Sequence, residues 1–165
     1  MVYPKAAELT KFFEGCRYKA YQDSAGIWTI GIGSTKDVLE GMVIDDRQVE
    51  IRWNDDIQDA IDRTDHILKV KVNDDEMSTL ISQAYNLRSF PRLVGYLNTD
   101  KNLYKEKMLL YCKDVEGHYL KGLQIRRISE RLLFESRDWK EFAVWGQLKT
   151  TNTDMILEKQ HQLFT

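Results

Sequence analysis

Most of the turn chemistry lies in the first quarter of the chain, and this limits what it can fold into more than any other feature. Gly15, Gly26, Gly31, Gly33 and Gly41 are five of the nine glycines in 165 residues, and there are only two prolines. The rest reads as helix. Val49, Trp53, Ile57, Ile61 and Leu68 recur at helical spacing and predict a long helix over residues 46–69. Asp45 with Gln48 three residues on forms a capping box at its start. Its other face is acidic, carrying Asp55, Asp56, Asp59, Asp62 and Asp65, and is expected to lie in water. Asn73 with Glu76 caps a further helix with the stripe Met77, Leu80, Ile81, Ala84 and Tyr85. Pro91 precedes a short helix at 93–97. Asp100 caps one that reaches about Cys112. Ile125, Ile128 and Leu132 mark another, with Arg126, Arg127 and Arg131 on an expected solvated face. Residues 150–165 form a last short helix.

The glycine-rich quarter reads differently. Ala6, Leu9, Phe13 and Cys16 predict a first helix from Lys5 to Arg17. Tyr18–Gln22 and Ile27–Gly33 are rich in aromatic and β-branched residues. Between them Asp23-Ser24-Ala25-Gly26 suits a type I turn, so the segment is a β-hairpin. Alternation places Trp28, Ile30 and Ile32 on one face of the second strand and Thr29, Gly31 and Gly33 on the other. The second face holds one hydroxyl and two missing side chains, so it can line a groove that a ligand enters closely. The expected fold class is α+β and mostly helical. It consists of a small N-terminal β-hairpin lobe at 13–45, a long connecting helix at 46–69 and a larger helical lobe at 70–142. A tail at 143–165 completes a single domain over 1–165. A cleft between lobes is a natural ligand site.

Charge excludes some partners. The formal net charge is −2, with +1 in residues 1–35, −7 in 36–76 and +4 in 77–165. Such a chain has no uniform attraction for nucleic acid or anionic membranes. Cys16 and Cys112 are too few for a disulfide framework and read as two buried small hydrophobes. No apolar run approaches membrane-spanning length, and residues 1–9 lack a signal-peptide core, so cytosolic synthesis is expected. His66, His118 and His161 are scattered, and no metal site or cofactor is expected.

The chemistry concentrates in Glu14, Asp23 and Thr29: a carboxyl at a helix end, a carboxyl in a turn and a hydroxyl on the strand that follows. Glycoside hydrolysis needs two carboxyl groups in different protonation states, one to donate a proton and one to stay ionised. Burial and hydrogen bonding are the means of separating them. Glu14 follows Phe12 and Phe13, whereas Asp23 sits in a polar turn. The pair alone is commonplace; the string around it is not. Glu14-Gly-Cys-Arg-Tyr-Lys-Ala-Tyr-Gln-Asp23-Ser-Ala-Gly-Ile-Trp-Thr29-Ile-Gly-Ile-Gly33 resembles the phage-type lysozymes, the muramidase endolysins of glycoside hydrolase family 24. Their motif is Glu, eight residues, Asp, five residues, Thr. Gly41–Glu50, Val72–Asn86 and the run Gly122-Leu-Gln-Ile-Arg-Arg-Ile-Ser-Glu-Arg-Leu-Leu are similar to later segments of that family, so the resemblance covers residues 5–135.

The resemblance implies a lysozyme-like fold and hydrolysis of the β-1,4 bond between N-acetylmuramic acid and N-acetylglucosamine in peptidoglycan. Glu14 would be the general acid, Asp23 the base or electrostatic stabiliser, and Thr29 the residue that holds the attacking water. Inversion at the anomeric carbon is expected, consistent with carboxyl groups roughly 6.5–9.5 Å apart. Gly31, Gly33 and Phe90 are candidate substrate contacts. The chain departs from the family at Ser34, where His is common, and over Asn86-Leu-Arg-Ser-Phe90, where glycine is common. The implied partners are peptidoglycan and a holin for export to the cell wall, with the enzyme itself a monomer. A lytic transglycosylase on the same fold, or an idle wall-binding module, are the alternatives. The first would yield 1,6-anhydro ends, and the second would bind wall without releasing sugars.

Overall fold

The computed structural model describes residues 3–23, 25–87 and 89–165. Ser24 of the expected turn and Arg88 of the glycine-free stretch lie outside the described residues. The described elements are α-helices and one two-stranded antiparallel sheet, so the chain is α+β and mostly helical. Contacts divide it into two compact units. One is Met1–His66 with Leu80–Leu87; the other is Ile67–Thr79 with Arg88–Thr165. Among the described residues no helix is long and apolar enough to cross a membrane.

In the first unit, α1 (Pro4–Glu14) buries Ala6, Ala7, Leu9 and Thr10. It stops three residues short of the expected Arg17, because Gly15 turns the backbone to φ 72° and Arg17 already belongs to a strand. β1 (Arg17–Gln22) pairs with β2 (Trp28–Gly31), Tyr21 opposite Thr29 and Gln22 opposite Trp28, with an irregularity between Arg17 and Tyr21. The expected second strand ran to Gly33. It ends at Gly31 because Ile30 and Ser34 exchange both backbone hydrogen bonds at 2.9 Å, closing a tight turn over Gly31, Ile32 and Gly33. Both glycines have positive φ, which side-chain-bearing residues rarely adopt.

α2 (Asp46–Ile67) buries Val49, Trp53, Ile57, Ala60, Ile61 and Thr64 along one face. Its capping box closes in both directions: Gln48 N–H donates to Asp45 Oδ1 at 2.8 Å, and Asp45 N–H to Gln48 Oε1 at 3.0 Å. The same reciprocal pair opens α3 (Asp74–Asn86), where Glu76 N–H donates to Asn73 Oδ1 and Asn73 N–H to Glu76 Oε2, both at 2.9 Å.

In the second unit, α4 (Phe90–Thr99) carries Pro91 in its first turn. α5 (Lys101–Met108) is capped by Asp100, which accepts from Leu103 N–H at 2.7 Å. It ends before the expected Cys112, which lies in the turns that follow. α6 (Lys121–Phe134) overturns the expectation of a solvated basic face. Arg126 and Arg127 are buried at 3% and 0% exposure, and Glu130 is equally buried. Glu130 Oε1 accepts from Arg127 Nη2 at 2.9 Å and Arg126 Nε at 3.3 Å, so the charges enter as a cluster. Arg131 is half-buried, paired with Glu135 at 3.2 Å and 3.9 Å above the Phe164 ring.

α7 (Lys140–Gln147) was not anticipated from the sequence, while α8 (Thr153–Phe164) falls inside the expected last helix, capped by Asn152. Both cysteines are free thiols. Cys112 is buried as expected, but Cys16 is partly exposed because it lies between the end of α1 and the start of β1.

Candidate active site

All three motif residues fall in the first unit. Glu14 is the last residue of α1, so its side chain leaves the helix where Gly15 breaks it. Asp23 follows β1 and organises the hairpin turn. Gly26 N–H donates to Asp23 carbonyl oxygen at 3.0 Å, the bond expected of a four-residue turn. The Asp23 carboxylate turns back on the same loop. Its Oδ1 accepts from Ala25 N–H at 2.8 Å and Ile27 N–H at 2.9 Å. Asp is suited to this position because its short side chain reaches the backbone two residues on.

Thr29 is joined to Asp23 through one residue. Its Oγ1 donates to the Ile27 carbonyl at 3.0 Å, while the Ile27 N–H is held by Asp23. The carboxylate and the hydroxyl are therefore both anchored to the backbone of Ile27. The expected open face of β2 does not exist in that form. Thr29 is only 4% exposed, and a Cβ built on Gly31 would lie 3.6 Å from Ile44 Cδ1 and 4.0 Å from Val49 Cγ2. Ile44 and the first turns of α2 cover that side, so Gly31 packs against apolar carbon. Alternation along a single strand carries no record of the helix that packs over it.

Gly33 lies elsewhere. A Cβ there would meet Tyr85 Cε1 at 3.6 Å, Glu14 Cγ at 3.8 Å and Glu14 Oε2 at 3.9 Å. Gly33 thus lets the Glu14 carboxyl, the Tyr85 ring and the turn backbone approach closely. Phe90 is not part of this arrangement. It is 2% exposed in the second unit, which leaves no ring face for a sugar.

The residue whose partners sequence reasoning missed is Tyr85, read only as one position of an apolar stripe. Its ring stacks on Trp53 with centroids 5.3 Å apart and planes at 29°. Its hydroxyl donates to Asp56 Oδ2 at 3.0 Å. Burial first, then the Asp56 charge and hydrogen bond, then the Glu14 charge push the phenol far above its ordinary range. It therefore stays a neutral donor at any physiological pH. Asp56 is accordingly drawn out of the solvated acidic row, whereas Asp55, Asp59, Asp62 and Asp65 are exposed as expected. Ser34, in the place where His was expected, is 4% exposed and lines the same groove as Asp55, Asp56 and Tyr85. A pattern search for a polar tip within an apolar stripe could have marked Tyr85 as needing a partner.

Residues 11–130 match the family model described as phage lysozyme. An endolysin of Bacillus phage B103 is 33% identical over 159 residues, covering 90% of this chain and 60% of the relative. An endolysin of Acyrthosiphon pisum secondary endosymbiont phage 1 is 32% identical over 140 residues, covering 80% of this chain and 96% of the relative. Among solved structures, the endolysin from Escherichia coli O157:H7 phage FAHEc1 superposes with a TM-score of 0.68 at 31% identity. That match covers 79% of this chain and 90% of the other. The chain thus spans less than two thirds of the B103 endolysin but nearly all of the second relative.

Proposed function

Since the chain belongs to the phage lysozyme family, we propose that it is an endolysin that hydrolyses the β-1,4 bond between N-acetylmuramic acid and N-acetylglucosamine in bacterial peptidoglycan. One observation carries this reading. Asp23 and Thr29 are both tied to the Ile27 backbone, in the same unit that ends α1 with Glu14 beside Gly33.

In this mechanism Glu14 gives its proton to the glycosidic oxygen as the bond from the anomeric carbon breaks. A water attacks the same carbon from the opposite face and loses a proton to Asp23. The Thr29 O–H donates its hydrogen bond to the Ile27 carbonyl, so its oxygen meets that water as an acceptor and sets its line of approach. Asp23 is oriented by two backbone N–H groups of its own turn, which holds the carboxylate still while charge develops. The products are two sugar chains, one with a new reducing end.

Synthesis in the host cytosol, release to the wall through a separate holin and action as a monomer belong to the same proposal. They rest on the family resemblance. The decisive experiment digests purified peptidoglycan with the wild type and with Glu14→Gln, followed by mass spectrometry. Reducing ends from the wild type and loss of essentially all product in the variant are expected. Full activity of Glu14→Gln, or 1,6-anhydro ends from the wild type, overturns the reading.

A further inference from the structure

We propose that Tyr85 is a positioning residue for the Glu14 carboxyl, locked in place by a hydrogen bond to Asp56 and by stacking on Trp53; this rests on the reading of Glu14 as the acid. The two anchors of Tyr85 come from one helix, three residues apart, so they share one face of α2. Trp53 is 1% exposed and fixes the plane of the ring. Asp56 anchors the hydroxyl end of the ring by accepting its hydrogen bond at 3.0 Å. An aromatic side chain has only two torsions, and these contacts use up both.

The ring and the acid meet around Gly33. Tyr85 Cε1, Glu14 Cγ and Glu14 Oε2 all lie within 3.9 Å of the point where a Gly33 Cβ would stand. Glu14 ends its helix at Gly15, whose φ of 72° takes the chain away. The carboxyl therefore projects from a helix end, with the Gly33 turn and the edge of Tyr85 beside it. Gly33 adds no side chain, so the ring supplies the wall. A ring that tilts changes where the carboxyl rests, and displacement of a reacting group by about 1 Å costs on the order of a hundredfold in rate. The hydroxyl is 29 residues from Asp56 in sequence, so this bond is a tertiary device and no local turn requires it.

An aromatic residue with a merely structural role predicts something different. Removing its hydroxyl would lower stability and leave turnover per folded molecule unchanged. The positioning role predicts that Tyr85→Phe lowers kcat about tenfold, with KM for soluble peptidoglycan fragments within twofold of wild type. Asp56→Ala, which keeps the whole ring, is expected to give the same loss. The double variant is expected to lose no more than either single one, because both remove one interaction. Thermal melts normalise each rate to folded protein. If Tyr85→Phe does not fold, Asp56→Ala alone decides. Wild-type kcat in Tyr85→Phe, or in Asp56→Ala, overturns the proposal, as does a double variant whose losses multiply. Glu14→Gln measured in parallel separates the two readings. If it is inactive while Tyr85→Phe is unimpaired, only the positioning role fails; if it is fully active, the assignment of the acid fails first.

Discussion

α2 and α6 look alike as sequences and end differently as structures. Each has an apolar stripe at helical spacing with a row of charges beside it. In α2 four of the five stripe-flanking aspartates are exposed, Asp59 pairs with Arg63 at 2.8 Å, and Asp62 accepts from Gln58. In α6 the row is interior, with Arg127 and Glu130 at 0% exposure and Arg126 at 3%. The difference lies in sign. The α2 row is a run of like charges in which Arg63 pairs with Asp59, so burial would cost the unneutralised carboxylates their full hydration. Arg126 and Arg127 have Glu130 four and three residues on, so the helix brings its own counter-charge inside. Burial pushes the Arg127 guanidinium below its ordinary value, and the Glu130 charge draws it back up. Opposite charge at i,i+3 and i,i+4 is thus compatible with burial, whereas like charge at the same spacing is not.

This contrast is most exposed to failure at Glu130. Glu130→Ala removes the carboxylate that both buried guanidinium groups share, and breaking a buried pair costs about 3–5 kcal/mol. Asp59→Ala removes half of a solvated pair and is expected to cost less than about 0.5 kcal/mol. Urea denaturation of both variants measures the gap. Equal midpoint shifts would dissolve the distinction between the two helices.

A smaller effect is expected where α7 meets α6. A Cβ on Gly146 would lie 2.8 Å from Ile125 Cγ1 and 3.2 Å from its Cγ2. Ile125 is buried and branched at Cβ, so it has little room to yield. Gly146→Ala is expected to lower stability by about 1–3 kcal/mol through overpacking, despite alanine's better helix propensity. The same denaturation experiment reads it, and a stabilised variant would mean that α7 does not press on α6 as described.

Legibility in the sequence followed the range of the interaction. Both capping boxes, Asp45–Gln48 and Asn73–Glu76, and the Asp100 cap formed as expected because donor and acceptor are three residues apart. The turn at Asp23 was legible for the same reason, Gly26 N–H and the Asp23 carbonyl being three residues apart. Glu14, Asp23 and Thr29 stand out as candidates because a long contiguous motif contains them. What failed was non-local. Nothing in 28–33 signals that Ile44 and Val49 cover Gly31. Glu130 makes burial of Arg126 and Arg127 possible, but only packing against other elements selects that face as inward. α7 has no side-chain cap at Trp139 and eight residues, too few for a clear periodicity, so packing on α6 defines it. Tyr85 was placed on the correct helix, yet its partners Trp53 and Asp56 lie on another.

The finest test of the contrast lies at the start of α2, where a flanking acid has found a partner while still in water. Tyr18 of β1 donates its hydroxyl proton to Asp46 Oδ1 at 2.6 Å. The hydrogen bond, and then the Asp46 charge, hold the phenol up to about 12 from an ordinary 10.0. A raised value in the folded state favours the protonated form. The contribution to stability is therefore complete below pH 10.0 and is lost as pH rises through about 12. Tyr18 is 46% exposed, so the stabilising effect is small, and the titration itself is the sensitive measure. Carbon-13 NMR of the Tyr18 Cζ resonance is expected to show a midpoint near 12 in the wild type, falling toward 10.0 in Asp46→Ala. An unmoved midpoint would mean that the exposed acids of α2 are electrically silent even where a partner touches them. The difference between α2 and α6 would then be one of burial alone, without regard to pairing.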